Sequence, residues 1–161
     1  MKKIQDPAQS FLIKVQSLYD IEKQLEKALP KMAKAAKDEG FKEAFFKHLE
    51  ETKGHSKKLE SIFKMLGAAP RKIKCEGIRG IIADAEWVMD QDGTDPIKDS
   101  MLASAARYAE HYEMSGYMSA IAEAKSLGMI DAAALLTETL AEEEQADKIL
   151  AAGMKAALKE A

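Results

Sequence analysis

Glu22 stands where a leucine belongs. Read as a helix, the chain from Phe11 carries an inward seam of Phe11, Val15, Leu18, Leu25 and Leu29, at alternating spacings of four and three, and Glu22 fills its one gap. Glutamate is almost never fully buried without a partner, and an unpaired carboxylate in an apolar interior costs several kcal/mol. Taken alone, such a residue pairs with a neighbouring lysine or marks a helix end. The alternative is that something cationic sits inside this protein, and the rest of the chain bears on which holds.

The same kind of seam recurs along the sequence. Asp6-Pro7 is a helix-start signal, a side-chain cap followed by proline at the first helical position. The first helix is predicted to run to about Lys37, with Pro30 kinking it, because the apolar pattern resumes at Met32, Ala33 and Ala36. Gly40 marks a turn. A second helix follows from about Phe41 to Leu66, with seam Phe41, Phe45, His48, Thr52, His55, Leu59, Ile62 and Leu66. Gly67 closes it, and the connection from Ala68 to Asp95 holds a short amphipathic helix spelled by Ile78, Ile81, Ile82, Ala85, Val88 and Met89. Asp95-Pro96 repeats the start signal for a long helix ending near Ser126, with seam Leu102, Ala106, Ala109, Glu113, Gly116, Ala120 and Leu127. After Gly128 the last helix, from about Asp131 onward, offers Leu136, Leu140, Glu143, Asp147, Leu150 and Met154. With only 4 prolines and 9 glycines among 161 residues, little interrupts these helices. Two short-looped hairpins joined by a long crossover predict an all-α, single-domain four-helix bundle of ferritin-like connectivity, with a short extra helix in the crossover.

All four long helices therefore place acid or imidazole in their own core seam. Glu22, His55, Glu113 and Glu143 each lie about fourteen to seventeen residues from a hairpin turn, so equal rise per residue brings them to similar heights. The hairpins read as an internal repeat: Glu51 and His55 on one, Glu143 and Asp147 on the other, each pair spaced by four. No lysine or arginine occupies any seam; Lys53, Arg107 and Lys148 project away. Several carboxylates in one layer would cost more than the ~5–15 kcal/mol of net stability a domain has. Two divalent cations would neutralise them, and carboxylates with one imidazole suit iron or manganese. His48, one turn from Glu51, is a candidate partner for a ligand rather than a ligand. Tyr19, Tyr112 and Tyr117 read as core tyrosines, His111 points off its seam, and Arg71, Lys72, Lys74 and Arg79 read as a solvated basic cluster.

The stretches LYDIEKQLEKALPKMAKAA, HLEET, KCEGIRGIIADAE, EHYE and ETLAEEEQAD, in this order, closely resemble the YciE/YciF-type ferritin-like stress proteins. The resemblance covers nearly the whole chain. It implies a ferritin-like fold related to rubrerythrin, an iron site and a homodimer. It also implies that Glu110-x-x-Glu113 matches the paired glutamates of rubrerythrin. The wider class uses Glu-x-x-His on the second and fourth helices, and this chain departs from it: Glu51 and His55 are four apart, and Asp147 stands where a histidine is expected. The expected metal residues are thus Glu22, Glu51, His55, Glu110, Glu113, Glu143 and Asp147, holding two iron ions or, alternatively, manganese.

Composition removes other classes. A formal net charge of −3 and a pI near 5.7 argue against a general nucleic-acid binder. One cysteine, Cys75, excludes an internal disulfide and suits a reducing compartment, and FLIKV is too short for a signal peptide or a span, so a cytoplasmic location without membrane contact is expected. No phosphate loop, zinc-finger spacing or Ser-His-Asp set is present. The leading expectation is a di-metal redox protein reacting with peroxide or oxygen under stress. The rival is a non-enzymatic, dimeric structural or adaptor bundle with a vestigial or structural metal site.

Overall fold

The structure, a computed structural model, describes residues 4–161. Five helices follow in order: α1 (Pro7–Ala35), α2 (Glu39–Met65), α3 (Glu76–Asp90), α4 (Asp95–Ser126) and α5 (Ile130–Glu160). Among the described residues there is no strand, and no helix is long and apolar enough to cross a membrane. The local signals explain the boundaries. Asp6 accepts a hydrogen bond from the Ala8 amide at 2.8 Å, and Pro7 opens α1, which continues through Pro30. α2 opens at Glu39 with Asp38 as its cap, two residues before the expected start at Phe41. The Asp38 carboxylate caps the Phe41 amide at 3.1 Å, satisfying a donor that the first turn leaves free. α2 and α4 end alike. Gly67 and Gly128 take left-handed φ values of 64° and 68°, and the following amides of Ala68 and Met129 reach back to Phe63 and Ala124.

The two hairpins, α1–α2 and α4–α5, dock so that α1 packs on α2 and α4, while α5 packs on α4 and α2. Their apolar seams meet in one core that includes Phe11, Val15, Leu18, Phe45, Leu59, Ile62, Phe63 and Leu136. Asp99, buried in the first turns of α4, accepts the amides of Lys37 at 2.9 Å and Asp38 at 2.7 Å and so ties the α1–α2 turn to the other hairpin. The crossover is tied down as well. Buried Asp20 of α1 accepts the Cys75 amide at 2.8 Å, and α3 then lies against α4 and α1. The result is the expected four-helix bundle with a helix-bearing crossover, and its register sets the heights of the polar residues.

Candidate metal centre

Each long helix delivers polar side chains to the middle of the bundle because its apolar seam is interrupted there. Glu22, His55, Glu113 and Glu143 are fully buried, and Glu110 and His48 almost so. Two groups of ligand-bearing atoms result: His48, Glu110, Glu113 and Glu143 in one, Glu22, His55 and Glu143 in the other, with the atoms of each group within 4.8 Å of one another. Glu143 belongs to both. His48 Nε2 lies 3.2 Å from Glu110 Oε2 and 3.5 Å from Glu143 Oε2. His55 Nδ1 lies 2.9 Å from Glu143 Oε1 and 3.5 Å from Glu22 Oε2.

These contacts are close without being hydrogen bonds. Among the described residues, Glu22 Oε2, His55 Nδ1, Glu110 Oε2 and both carboxylate oxygens of Glu113 and Glu143 have no hydrogen-bond partner. Buried polar atoms are normally paired, so a cluster of orphaned acceptors facing one another calls for a proton or a cation between them. Protons are a poor substitute. With both histidines charged, four ionised carboxylates would still leave two negative charges uncompensated. The protonation equilibria register that conflict. Burial, then Glu143, Glu22 and Glu110, hold the Glu113 carboxyl well above its ordinary range. Burial pushes Glu143 up to about 7, and it raises Glu22 too. Burial alone would lower the imidazoles, yet the facing carboxylates override it: Glu143 and Glu22 raise His55 to about 10, and Glu110, with Glu51 and Glu143, raises His48. The cluster fits a divalent cation better than it fits protons.

Of the expected metal residues, the structure brings Glu22, His55, Glu110, Glu113 and Glu143 together and leaves two aside. Glu51 sits on the flank of α2, its carboxylate 2.7 Å from Lys47 Nζ and 3.3 Å from His48 Nδ1. Those two bonds, His48's first, hold Glu51 down at about 2. A spacing of four from His55 turned it off the inward face; the residue three before His55 is Thr52, buried, with its hydroxyl on the His48 carbonyl at 2.9 Å. Asp147 lies outside both groups. Its Oδ1 is 2.7 Å from Arg107 Nε, and exposed His111 stands 3.3 Å away. The core seam of α5 steps from Glu143 to Ala146 and Leu150, so Asp147 falls beside it, facing α4.

His48 is expected from the sequence only as a partner of a ligand, whereas its imidazole reaches the cluster directly. The signal was its place two turns before His55 in the same seam. The tyrosines divide. Tyr117 is fully buried and donates a hydrogen bond to Glu22 Oε1. Tyr19 is half-buried, edge-on to Phe63, with its hydroxyl on Glu60 at 2.9 Å. Tyr112 is not a core residue: it is 38 % exposed, and its hydroxyl lies 3.2 Å from Cys75 Sγ.

Residues 6–161 match the family described as a domain of unknown function (DUF892). The chain is 35% identical to protein YciF of Escherichia coli over 148 residues, covering 91% of this chain and 87% of that protein. The crystal structure of that Escherichia coli stress protein superposes with a TM-score of 0.94 at 31% identity, covering 98% of this chain and 100% of the other. YcfI of Rhodopseudomonas palustris, for which a structural role has been suggested, gives a TM-score of 0.89 at 33% identity, with 92% and 95% covered. A Xanthomonas campestris protein shares the fold at 18% identity, with a TM-score of 0.76 over 95% and 94% of the two chains.

Proposed function

The chain belongs to the DUF892 family, whose description assigns no activity, and from its interior we propose a di-metal protein, iron or manganese, that reacts with peroxide or oxygen. The carrying observation is the set of orphaned carboxylate oxygens on Glu22, Glu110, Glu113 and Glu143, gathered with two imidazoles in a buried layer. His48, Glu110, Glu113 and Glu143 would hold one ion and Glu22, His55 and Glu143 the other. Oxygen-rich donors with two imidazole nitrogens suit iron and manganese. When bound, such a pair supplies the electrons that cleave an O–O bond.

The chain's own residues do the rest. Glu143, shared by both groups, keeps them in register, and Tyr117 holds Glu22 through its hydroxyl. Leu18, Phe45, Leu59 and Leu136 exclude bulk water around the layer. A cleft of about 440 Å³ between α1 and α4, rimmed by Ser10, Lys14, Ser17, Ser115 and Ser119, offers a small oxidant an approach. Leu18 and Gly116 line it; Leu18 is one turn from Glu22, and a Cβ on Gly116 would come within 2.9 Å of Leu18. The relation to a stress protein is consistent with disposal of oxidants.

The test is to load metal-free protein anaerobically with ferrous ion, count metal per chain, and mix with hydrogen peroxide in a stopped-flow instrument. Close to two ions per chain and oxidation faster than free ferrous ion are expected, both lost in Glu113→Ala. Equal rates in the two proteins would move the reading to a structural bundle.

A further inference from the structure

Each histidine of the cluster is gripped from outside by a glutamate, and each glutamate by a lysine. His55 Nε2 is 2.6 Å from Glu142 Oε2, and Lys58 Nζ lies 3.2 Å and 3.3 Å from the two oxygens of that carboxylate. His48 Nδ1 is 3.3 Å from Glu51 Oε2, and Lys47 Nζ lies 2.7 Å from Glu51 Oε1. An ionised carboxylate only accepts, so the ring nitrogen facing it carries the hydrogen. A lysine ammonium stands against each of the two carboxylates. What remains on each ring is the other nitrogen, Nδ1 on His55 and Nε2 on His48, and both face the buried carboxylates.

We propose that Glu142 and Glu51 are positioning residues that lock the two imidazoles in opposite tautomers, so that His55 presents Nδ1 and His48 presents Nε2 to the metal centre. The inference rests on reading that centre as a metal site. It gives Glu51 a role other than ligand, and it brings in Glu142, which no seam pattern singles out because it is 41% exposed in its side chain. The opposite choice of nitrogen has a geometric cause. The two histidines are seven residues apart on one face of α2, but Glu51 grips from the same helix one turn on, whereas Glu142 reaches across from α5. One ring is therefore held at its near nitrogen and the other at its far one. Partners of this kind set the orientation and basicity of a ligating ring.

Zinc is a suitable probe, being divalent, redox-silent and diamagnetic. Protein with nitrogen-15-labelled histidine is titrated with zinc alone, its affinity measured by competition with a chelating dye, and the ring nitrogens read by long-range proton–nitrogen correlation. Wild type should show a protonated Nε2 and a metal-shifted Nδ1 on His55, with the reverse on His48. Glu142→Leu should lose roughly 10–100-fold in affinity and the single-tautomer pattern of His55 alone. Glu51→Leu should do the same for His48 alone, by less, because its contact is longer. Glu142→Gln, which keeps a carbonyl acceptor and the surface shape, should lose less affinity than Glu142→Leu and guards against misfolding. Glu138→Leu, which removes only an exposed contact of Lys58 at 3.7 Å, should change nothing. The same nitrogen bound on both rings, or wild-type affinity in both leucine variants, overturns the tautomer lock while leaving the metal reading intact. Wild-type protein that takes up neither zinc nor ferrous ion overturns both.

Discussion

The two hairpins contribute unequally to the layer they share. α1–α2 supplies one buried carboxylate, Glu22, and both imidazoles, His48 and His55. α4–α5 supplies three buried carboxylates, Glu110, Glu113 and Glu143, and no imidazole. The one cation that α4 holds near this level, Arg107, is spent on Asp147. By itself the second hairpin could not bury its layer, since nothing on it opposes the charge. The polar layer is therefore a property of the docked pair, and the orphaned oxygens lie mostly on the acidic side. The seams look like a repeat, but the chemistry is complementary.

The largest expected effect separates the two sides directly. In metal-free protein, replacing His48 and His55 by Gln strips the acidic side of its only partners and should cost about 3–5 kcal/mol, the range for breaking a buried ion pair from one side. Replacing Glu110, Glu113 and Glu143 by Gln should instead hold or raise stability, because it removes buried negative charge. Urea unfolding of both variants measures this, and both should lose metal. Equal losses of stability would show that the asymmetry has no energetic content.

The next concerns pH. Glu143 is raised to about 7 from 4.5 and His55 to about 10 from 6.5; Glu22, Glu113 and His48 are displaced upward too. Each holds its proton more tightly folded than unfolded, so the stability it adds is complete below its unfolded value and is lost as pH rises through its folded one. The weight is about 1.4 kcal/mol per unit of displacement. Metal-free protein should therefore lose melting temperature steadily from about pH 4.5 towards pH 10. Bound metal needs the deprotonated ligands, so the rise in melting temperature on adding manganous ion should be larger at pH 7.5 than at pH 5. A metal-induced rise that is the same at both values would detach the metal from this layer.

The smallest effect marks where the site ends. Asp147→Asn weakens a half-exposed pair with Arg107 and should cost less than about 1 kcal/mol, with metal per chain unchanged by elemental analysis. Loss of an ion in that variant would return Asp147 to the ligand set.

Much of this is legible in the sequence. The seam through Phe11, Leu18, Leu25 and Leu29 identifies Glu22 as buried, and the equal distances to the turns put His55, Glu113 and Glu143 at its height. The misplacements are of one kind. Asp147 and Glu51 each lie one residue from the inward position, occupied by Ala146 and Thr52. On a helix of 3.6 residues per turn, steps of three and four both land near the same face, and pattern alone does not choose between them. His48 was visible in the seam, but its distance to Glu110 was not.

The sequence by itself determined the helices, the Asp6 cap, the pairing into hairpins and a polar layer at mid-height, because these follow from spacing and from contacts within a few residues. Only the tertiary structure decided that Arg107 takes Asp147 out of the layer, that Tyr117 binds Glu22, and that Glu142 and Glu51 grip opposite nitrogens of two similar histidines. Most of those decisions join residues far apart in the chain, 40 positions for Arg107 and Asp147, 95 for Tyr117 and Glu22 and 87 for His55 and Glu142. They depend on the rotation of each helix about its axis, which is set by how the two hairpins pack and not by any one seam.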